Sequence, residues 1–442
     1  MPAYDFTRRI RQPSDPDVIV VGAGLAGLAA ARALTARGIT VQVLEAAEQL
    51  GGRMAARELD GFRLDHGGLL LNTDFPELAR RFDLERLALR PLAPGLLVHS
   101  GGRRHRIGGP QQTTARQAAS RGPLGSPLDK ARLAATLARL AATPAARLLA
   151  RPETTAARAL ADRGLSPRTV DGFLRPLLGV LLADPALTTS SRVADLVLRS
   201  YARGRLCLPA AGASAVPAQL AEHLPAGTVR LGVKVTAVAA DGVQTAAHGR
   251  IATRAVVVAT DARSAAALLP GLRLPGFHPV TTYYHVADRS PMDEALLLLD
   301  ADRGTGRGGV SHSLVLSELD RSYAPGGRAL IATTVLGRQS FDPGGPAGEE
   351  PAVRRRLAEL YGTGTGDWEF LSVRHLPDAV PAMPPPHNVR RPVRLLAGLY
   401  TCGDHRDTST VQGALVSGRR AAQAVLSDLG VPTAERVADV AA

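Results

Sequence analysis

The chain has 442 residues, 45% of them apolar and 21% charged, with a formal net charge of +13; this leaves room for two domains, each with its own core. No apolar run approaches the roughly 20 residues of a membrane-spanning helix, and Met1 to Pro16 lacks the apolar core of a signal peptide. Cys207 and Cys402 are too few for a disulfide framework or a thiolate metal site, so a cytoplasmic protein without a metal is expected.

In chain order, Val18–Val21 is a short apolar run suited to a buried parallel strand. Leu25 to Arg37 reads as an Ala- and Leu-rich helix stopped by Gly38, and Val41–Leu44 as a second strand. The opening is therefore a βαβ unit. Its turn carries Gly22-x-Gly24-x-x-Gly27. Gly22 permits the tight turn, Gly24 lets the backbone approach a pyrophosphate, and Gly27 lets helix and strand pack closely. The helix start, at Leu25 and Ala26, offers amide donors and the positive end of the helix dipole. Glu45, 18 residues past Gly27 at the end of the second strand, is positioned to accept hydrogen bonds from ribose hydroxyls. Gly51-Gly52-Arg53 adds a second close backbone approach and a guanidinium suited to a pyrophosphate.

A helix fits Pro76–Phe82, and residues 101–126 read as loop. From Leu128 to Arg203 the pattern is helical, with Leu133, Leu137, Leu140, Leu148 and Leu149 on one stripe and Arg132, Arg139 and Arg147 off it. Residues 101–210 hold 18 Lys/Arg against 6 Asp/Glu, which is 12 of the 13 excess charges, and Lys130 and Lys234 are the only lysines in the chain. Such a patch, 127–203 in particular, suits an anionic membrane surface or an acidic substrate, or is simply a solvated helical face. Few aromatics accompany the arginines and no recognition motif is present, so nucleic acid is not an expected partner.

Strands are expected at Val229–Val238, with a hairpin through Asp241-Gly242, and at Arg254–Thr260. A second β-rich section covers Phe277–Val286, Ala295–Leu299, Ser311–Leu316 and Ala329–Leu336, followed by a helix over Glu350–Tyr361. The Pro-rich stretch 376–392 reads as a returning loop and Leu395–Thr401 as a strand. Gly403-Asp404 then makes a turn with one carboxylate, suited to a ribityl hydroxyl or a pyrophosphate-linked water. Thr408, Ser409 and Thr410 are candidate caps for a helix from Val411, whose stripe runs through Ala414, Leu415, Gly418, Ala422, Val425 and Leu426. The start of that helix suits a flavin's pyrimidine edge, and Gln412 suits a flavin carbonyl. Pocket candidates by position are Asp65 and His66, which precede a Gly pair, His405 beside Asp404, and Tyr283, Tyr284 and His285 on one strand, where alternation separates Tyr284 from the other two. His405 is the first choice for handling a proton, with His66 and Tyr284 behind it.

The N-terminal fingerprint alone indicates a dinucleotide; with Gly51-Gly52-Arg53 and the terminal Gly403-Asp404 segment it indicates a flavin. Together with Gly61-Phe-Arg-Leu-Asp-His-Gly-Gly68, Asn72-Thr-Asp-Phe-Pro-Glu77, Val257-Val-Ala-Thr-Asp-Ala262 and Cys402-Gly-Asp-His-Arg-Asp-Thr408, these segments resemble the flavin-containing amine oxidase and phytoene desaturase superfamily, most nearly its phytoene-desaturase-like and protoporphyrinogen-oxidase-like branch. The resemblance covers both ends well and 101–205 least. It implies non-covalent FAD, with Val235 facing the adenine through its backbone, Thr260 near the cofactor, and a β-rich substrate floor over 270–390. The expected architecture is α/β. A discontinuous Rossmann-type FAD-binding domain (14–100, 205–268 and 390–432) would carry an inserted α+β substrate-binding domain (101–204 and 269–389). Amine oxidases of this superfamily place a lysine, through a water, beside the flavin's reactive nitrogen. Here Lys130 falls in a helical segment and Lys234 in the adenine strand, and no aromatic pair flanks the C-terminal motif. The reading is therefore an FAD-dependent oxidoreductase, a desaturase, dehydrogenase or oxidase moving a hydride between a largely apolar small molecule and the flavin. Its electron acceptor would be O₂, a quinone or a partner protein. An amine oxidase or a non-redox FAD-dependent isomerase are the alternatives.

Overall fold

The computed structural model describes residues 12, 15–66, 70–108, 122–302, 309–337, 340–341 and 344–432. They cluster into two compact units. One comprises the chain up to residue 55, 216–275 and the chain from 388; the other comprises 56–215 and 276–387. The segments 56–100 and 205–215, expected with the cofactor-binding part, cluster with the second unit. The physical reason is strand pairing: Leu71–Asn72 and Leu89–Pro91 flank Leu206–Pro209, and Leu96–Ser100 joins the large sheet of that unit.

The first unit is built on a parallel sheet in the order Val229–Arg230, Val41–Leu44, Val18–Val21, Ala255–Val258, Leu399–Thr401, with Arg394–Leu396 antiparallel at its edge. The central strand Val18–Val21 is wholly buried, which is why it reads as an unbroken apolar run rather than an alternating one. Ile19, Val21, Leu44, Val256 and Val258 form a core with Val233, Val235, Val243, Ala265 and Leu269. A three-stranded antiparallel sheet, Val235–Ala239, Gly242–Thr245 and Gly249–Ala252, contains the expected hairpin through Asp241-Gly242. The helix Leu25–Thr35 and the closing helix Val411–Asp428 approach so closely that a Cβ at Gly418 would lie 2.2 Å from the Ala26 carbonyl oxygen. Leu395–Thr401, expected as one strand, is a hairpin: Arg394–Leu396 folds back on Leu399–Thr401 through Gly398, whose φ is +83°. The left-handed turn that glycine allows breaks the strand.

The second unit carries a seven-stranded sheet in the order Glu369–Pro381, Phe277–Ala287, Ala329–Leu336, Val310–Val315, Leu298–Asp300, Leu96–Ser100, Arg103–Ile107. Two loop expectations fail here. Arg103–Ile107 pairs with Leu96–Ser100 across Gly101-Gly102, both with positive φ. Its arginines had hidden a strand that lies at the sheet edge, where polar side chains are tolerated. Of the rest of that stretch, 109–121 lies outside the described residues, as does the Gly67-Gly68 pair. Within 376–392, the strand Glu369–Pro381 continues through Pro377 to Pro381, because an edge strand can lack an amide that a central strand needs. Helices Pro127–Ala142, Ala145–Leu149, Ala156–Asp162, Arg175–Leu182 and Ser191–Arg203 fill the expected helical region. No helix among the described residues is long and apolar enough to cross a membrane.

Candidate nucleotide-binding site

In the first unit the chain leaves strand Val18–Val21 at Gly22, whose φ of +104° is the left-handed region glycine favours, and whose amide donates to the Leu44 carbonyl at 2.8 Å. Gly27 sits where a Cβ would lie 2.0 Å from the Gly22 carbonyl oxygen, so the turn and the helix can touch only through glycine. Gly24 differs from both. It is the N-cap of the helix, in extended conformation, with no side chain capping the amides that follow, and a Cβ there would meet nothing within 4 Å. The space beside it is open, with the first-turn amides of Leu25, Ala26 and Gly27 at the same helix end.

The other sequence-selected residues gather round this turn. The Gly51 amide donates to the Ala23 carbonyl at 2.9 Å, and the position of a Cβ on Gly52 is 3.9 Å from Gly24 Cα. The Gly-Gly-Arg segment therefore faces the glycine turn. Glu45 accepts from the Ala23 amide at Oε2 (2.7 Å) and from the Ala47 amide at Oε1 (2.9 Å). Each oxygen keeps accepting capacity for a further donor. The Val233 amide donates to the Glu45 carbonyl at 2.8 Å, which anchors the entry to the strand that Val235 begins.

Arg53 and Asp404, 351 residues apart in sequence, form a two-point pair, Nη1 to Oδ2 and Nη2 to Oδ1, both 2.8 Å. The expectation assigned each charge separately to a ligand; in the structure they hold one another. Burial alone would raise the Asp404 carboxyl, but the Arg53 charge and hydrogen bonds, with the His405 amide at 3.0 Å, hold it below the usual carboxylate range. Gly403 has φ +140°, and its amide donates to Ser417 Oγ at 3.0 Å on the closing helix. A Cβ at Gly403 would lie 2.6 Å from the His405 ring and 3.4 Å from the Thr260 carbonyl oxygen. Of the three candidate caps, Thr410 is the one: its side chain accepts from the Gly413 amide at 3.1 Å, and Val411 and Gln412 open the helix, both buried.

His405 is 4% exposed, and neither ring nitrogen has a hydrogen-bond partner. Burial pushes its pKa down to about 4; Asp404 opposes this, and the Arg406, Arg53 and Arg391 charges reinforce it. The ring is therefore neutral at pH 7, with one donor and one acceptor unmet. Sequence reasoning passed over Asp407. Burial pushes its carboxyl up to about 6 against the pull of the Thr408 amide and of Arg420, whose Nη1 is 3.2 Å from Oδ2. Asp407 follows His405-Arg406 directly, so the motif was visible but the burial that shifts it was not.

His66 and Tyr284 belong to the second unit. The Tyr284 hydroxyl donates to the Asp65 carbonyl oxygen at 2.5 Å, and burial raises its pKa. The Asp65 carboxylate accepts from the Tyr323 hydroxyl at 2.8 Å and the Ala213 amide at 3.1 Å; burial raises its pKa despite both. Tyr283 and His285 do face away from Tyr284, donating to the Pro346 carbonyl and pairing with Glu350 at 3.0 Å respectively. Burial, with Arg374 and Arg57, pushes His66 down to about 4.

The glycine turn, the open face at Gly24, the acid ending the second strand and the unmet nitrogens of His405 fit a dinucleotide whose far end reaches the closing segment; the unit is of the Rossmann class. The model of the family described as "Flavin containing amine oxidoreductase" matches residues 25–426, and the chain belongs to that family. It is 51% identical over 67 residues to putrescine oxidase of Kocuria rosea, a match covering 15% of this chain and 14% of that protein. It is 54% identical over 54 residues to carotenoid 3,4-desaturase of Haloarcula japonica, covering 12% and 11%. The chain thus spans only a small part of these curated relatives. Over nearly its whole length the fold is similar to that of an oxidoreductase from Methanosarcina mazei, with TM-score 0.70, 16% identity, and 92% of this chain and 99% of that one covered.

Proposed function

We propose that the chain is an FAD-dependent oxidoreductase that moves a hydride between a largely apolar small molecule and a non-covalently held FAD. The observation that carries this reading is the Arg53–Asp404 pair, which joins the Gly-Gly-Arg segment to the C-terminal Gly-Asp turn, next to a Gly24 whose Cβ space is open. Gly22, Gly24, Gly27 and the amides of Leu25 and Ala26 would take the pyrophosphate, joined by Gly51, Gly52 and Arg53. Glu45 would accept from the ribose and Val235 would meet the adenine. Thr260, Gly403, Asp404, Val411 and Gln412 would line the flavin end. Bound FAD would supply a two-electron acceptor and donor. The chain's part is to orient it, to exclude water with buried apolar walls, and to offer positive dipole and amides from Val411 where negative charge develops. His405, neutral at pH 7, would donate one hydrogen bond and accept another at its two unpartnered nitrogens.

Amine oxidation is the second reading, favoured by the likeness to putrescine oxidase. Lys234, ahead of Val235, is exposed, which speaks against its standing through a water beside a flavin; Lys130 lies on the helix Pro127–Ala142. Peripheral membrane contact through 127–203 remains part of the proposal, though many of its arginines are engaged in ion pairs, such as Arg158 with Asp162 and Arg199 with Asp74.

The test is direct. Acid denaturation of the purified protein should release FAD into the supernatant. The photoreduced enzyme, mixed with air, quinone or ferredoxin-type proteins, should reoxidise with one of them. An apolar polyene should reduce the flavin anaerobically while a diamine does not. A flavin-free protein, FAD that stays with the precipitated chain, or reduction by the diamine alone would overturn the reading. Turnover without any acceptor would mark an isomerase.

A further inference from the structure

The helical part of the second unit carries an open concavity of about 390 Å³ between the helices Pro127–Ala142, Ala156–Asp162 and Ser191–Arg203. Four arginines line it: Arg139, Arg151, Arg163 and Arg192. Against them stands one buried carboxylate, Asp195, shared by Arg163 Nη2 at 2.7 Å and Arg151 Nη1 at 3.2 Å. Asp162 at the rim is answered by Arg158, 2.9 Å away on its own helix and not part of the lining. Arg192 is oriented by its Nε, which donates to the Arg151 carbonyl at 2.7 Å, and its Nη1 stands 3.7 Å from Glu153. The exposed Arg139 makes no ion pair among the described residues.

Like charges brought together round a concavity repel unless an anion neutralises them. Guanidinium groups present forked donors that match the oxygens of a phosphate, and donors of Arg139, Arg163 and Arg192 remain here beyond those that Asp195 and the ion pair of Arg192 with Glu153 engage. Ser191 Oγ accepts from the Thr154 amide at 3.1 Å, which leaves its hydroxyl proton to be donated. Leu140 and Pro152 make an apolar wall. About 390 Å³ is within the range of small-molecule sites, roughly 300–1,000 Å³, and more than a bare ion fills.

We propose that this pocket binds a phosphate monoester of a small alcohol, its carbon chain against Leu140 and Pro152 and its phosphate held by Arg139, Arg163 and Arg192, all of them residues of the second unit. The phosphate has two possible sources, a soluble metabolite or a lipid headgroup. This inference does not depend on the flavin reading.

The experiment uses the full chain as purified, with glycerol 3-phosphate as the probe in titration calorimetry. Saturable binding is expected, weakened at least 10-fold in a variant with Arg139→Gln and Arg192→Gln and reduced on raising salt from 50 to 200 mM. Should that variant fail to fold, arginine labelling of the wild-type protein with a dicarbonyl reagent decides: glycerol 3-phosphate should protect Arg139 and Arg192. Vesicles of phosphatidylcholine with and without phosphatidic acid separate the sources. Binding to the acidic vesicles that glycerol 3-phosphate displaces assigns a headgroup; soluble binding without vesicle binding assigns a metabolite. No saturable binding, no protection, or vesicle binding that glycerol 3-phosphate leaves untouched would each overturn the pocket.

Discussion

Removing the Arg53 guanidinium tests how the two ends of the sequence are held together. In Arg53→Met the Asp404 carboxylate, 6% exposed, loses both charge-assisted hydrogen bonds while staying buried. Breaking a buried pair in this way costs about 3–5 kcal/mol. Since the Arg53 side chain is itself 33% exposed, solvent screening brings the expected loss to about 2–3 kcal/mol. Asp404→Asn, which keeps the shape and removes the charge, should cost about 2 kcal/mol. The double variant should lose clearly less than the sum, with a coupling of at least about 1 kcal/mol, read from urea unfolding of the flavin-free proteins at pH 7. Single losses that simply add, to within about 0.5 kcal/mol, would refute the pair as the clasp. The pH dependence carries a sign. Asp404 is held low in the folded state, so its contribution is present above the ordinary carboxylate pKa and is lost as pH falls through the folded value. In Arg53→Met the burial that raises this group is no longer opposed by Arg53, so acidification towards pH 5 should relieve that variant while leaving wild type unaided.

The glycines of the turn should separate fold from ligand. Gly27→Ala forces a Cβ to within 2.0 Å of a backbone oxygen and should destabilise by about 3 kcal/mol or more. Gly24→Ala meets no protein atom within 4 Å, so its thermal midpoint without cofactor should move by no more than a few degrees while FAD binds at least 10-fold more weakly, measured by flavin fluorescence; unchanged affinity would detach Gly24 from the site. His405, with its pKa pushed down to about 4 from 6.5, disfavours the folded state once the unfolded ring takes up a proton. Its share of stability is full above about pH 6.5 and declines towards pH 4, about 2 kcal/mol lost by pH 5. In His405→Gln that part of the slope between pH 7 and 5 should vanish from the unfolding curves, and an unchanged slope would contradict a neutral buried ring.

What could be read in advance followed local rules. Val18–Val21, Val41–Leu44, Ala329–Leu336 and Glu350–Tyr361 carry their own period or apolar run, and their bounds were legible to the residue. The glycine spacing was legible because Gly22 and Gly27 answer local demands, a positive φ and a 2.0 Å approach to the Gly22 carbonyl oxygen, while Gly24 leaves open space at the helix start. What escaped depends on tertiary neighbours. Arg103–Ile107 is a strand only because Leu96–Ser100 lies beside it, and Glu369–Pro381 keeps its prolines only because it is an edge. The mutual satisfaction of Arg53 and Asp404, the engagement of the Tyr284 hydroxyl by Asp65, and the raised Asp407 are consequences of burial across long sequence separations, which no spacing announces.

The parallel sheet of the first unit has a bearing on how the chain is made. Ala255–Val258 takes one neighbour from residues 18–21 and the other from 399–401. As the polypeptide emerges from the ribosome, that strand can dock its first neighbour early, but its second side stays an open row of amides and carbonyls while some 140 further residues are synthesised. Near the end of that interval, once residue 387 has been made, the second unit has its described sequence complete while the first still lacks Leu399–Thr401, so the nascent chain can complete its inserted part before the part into which it is inserted. The exposed edge of Ala255–Val258 is then the surface a chaperone would have most reason to guard.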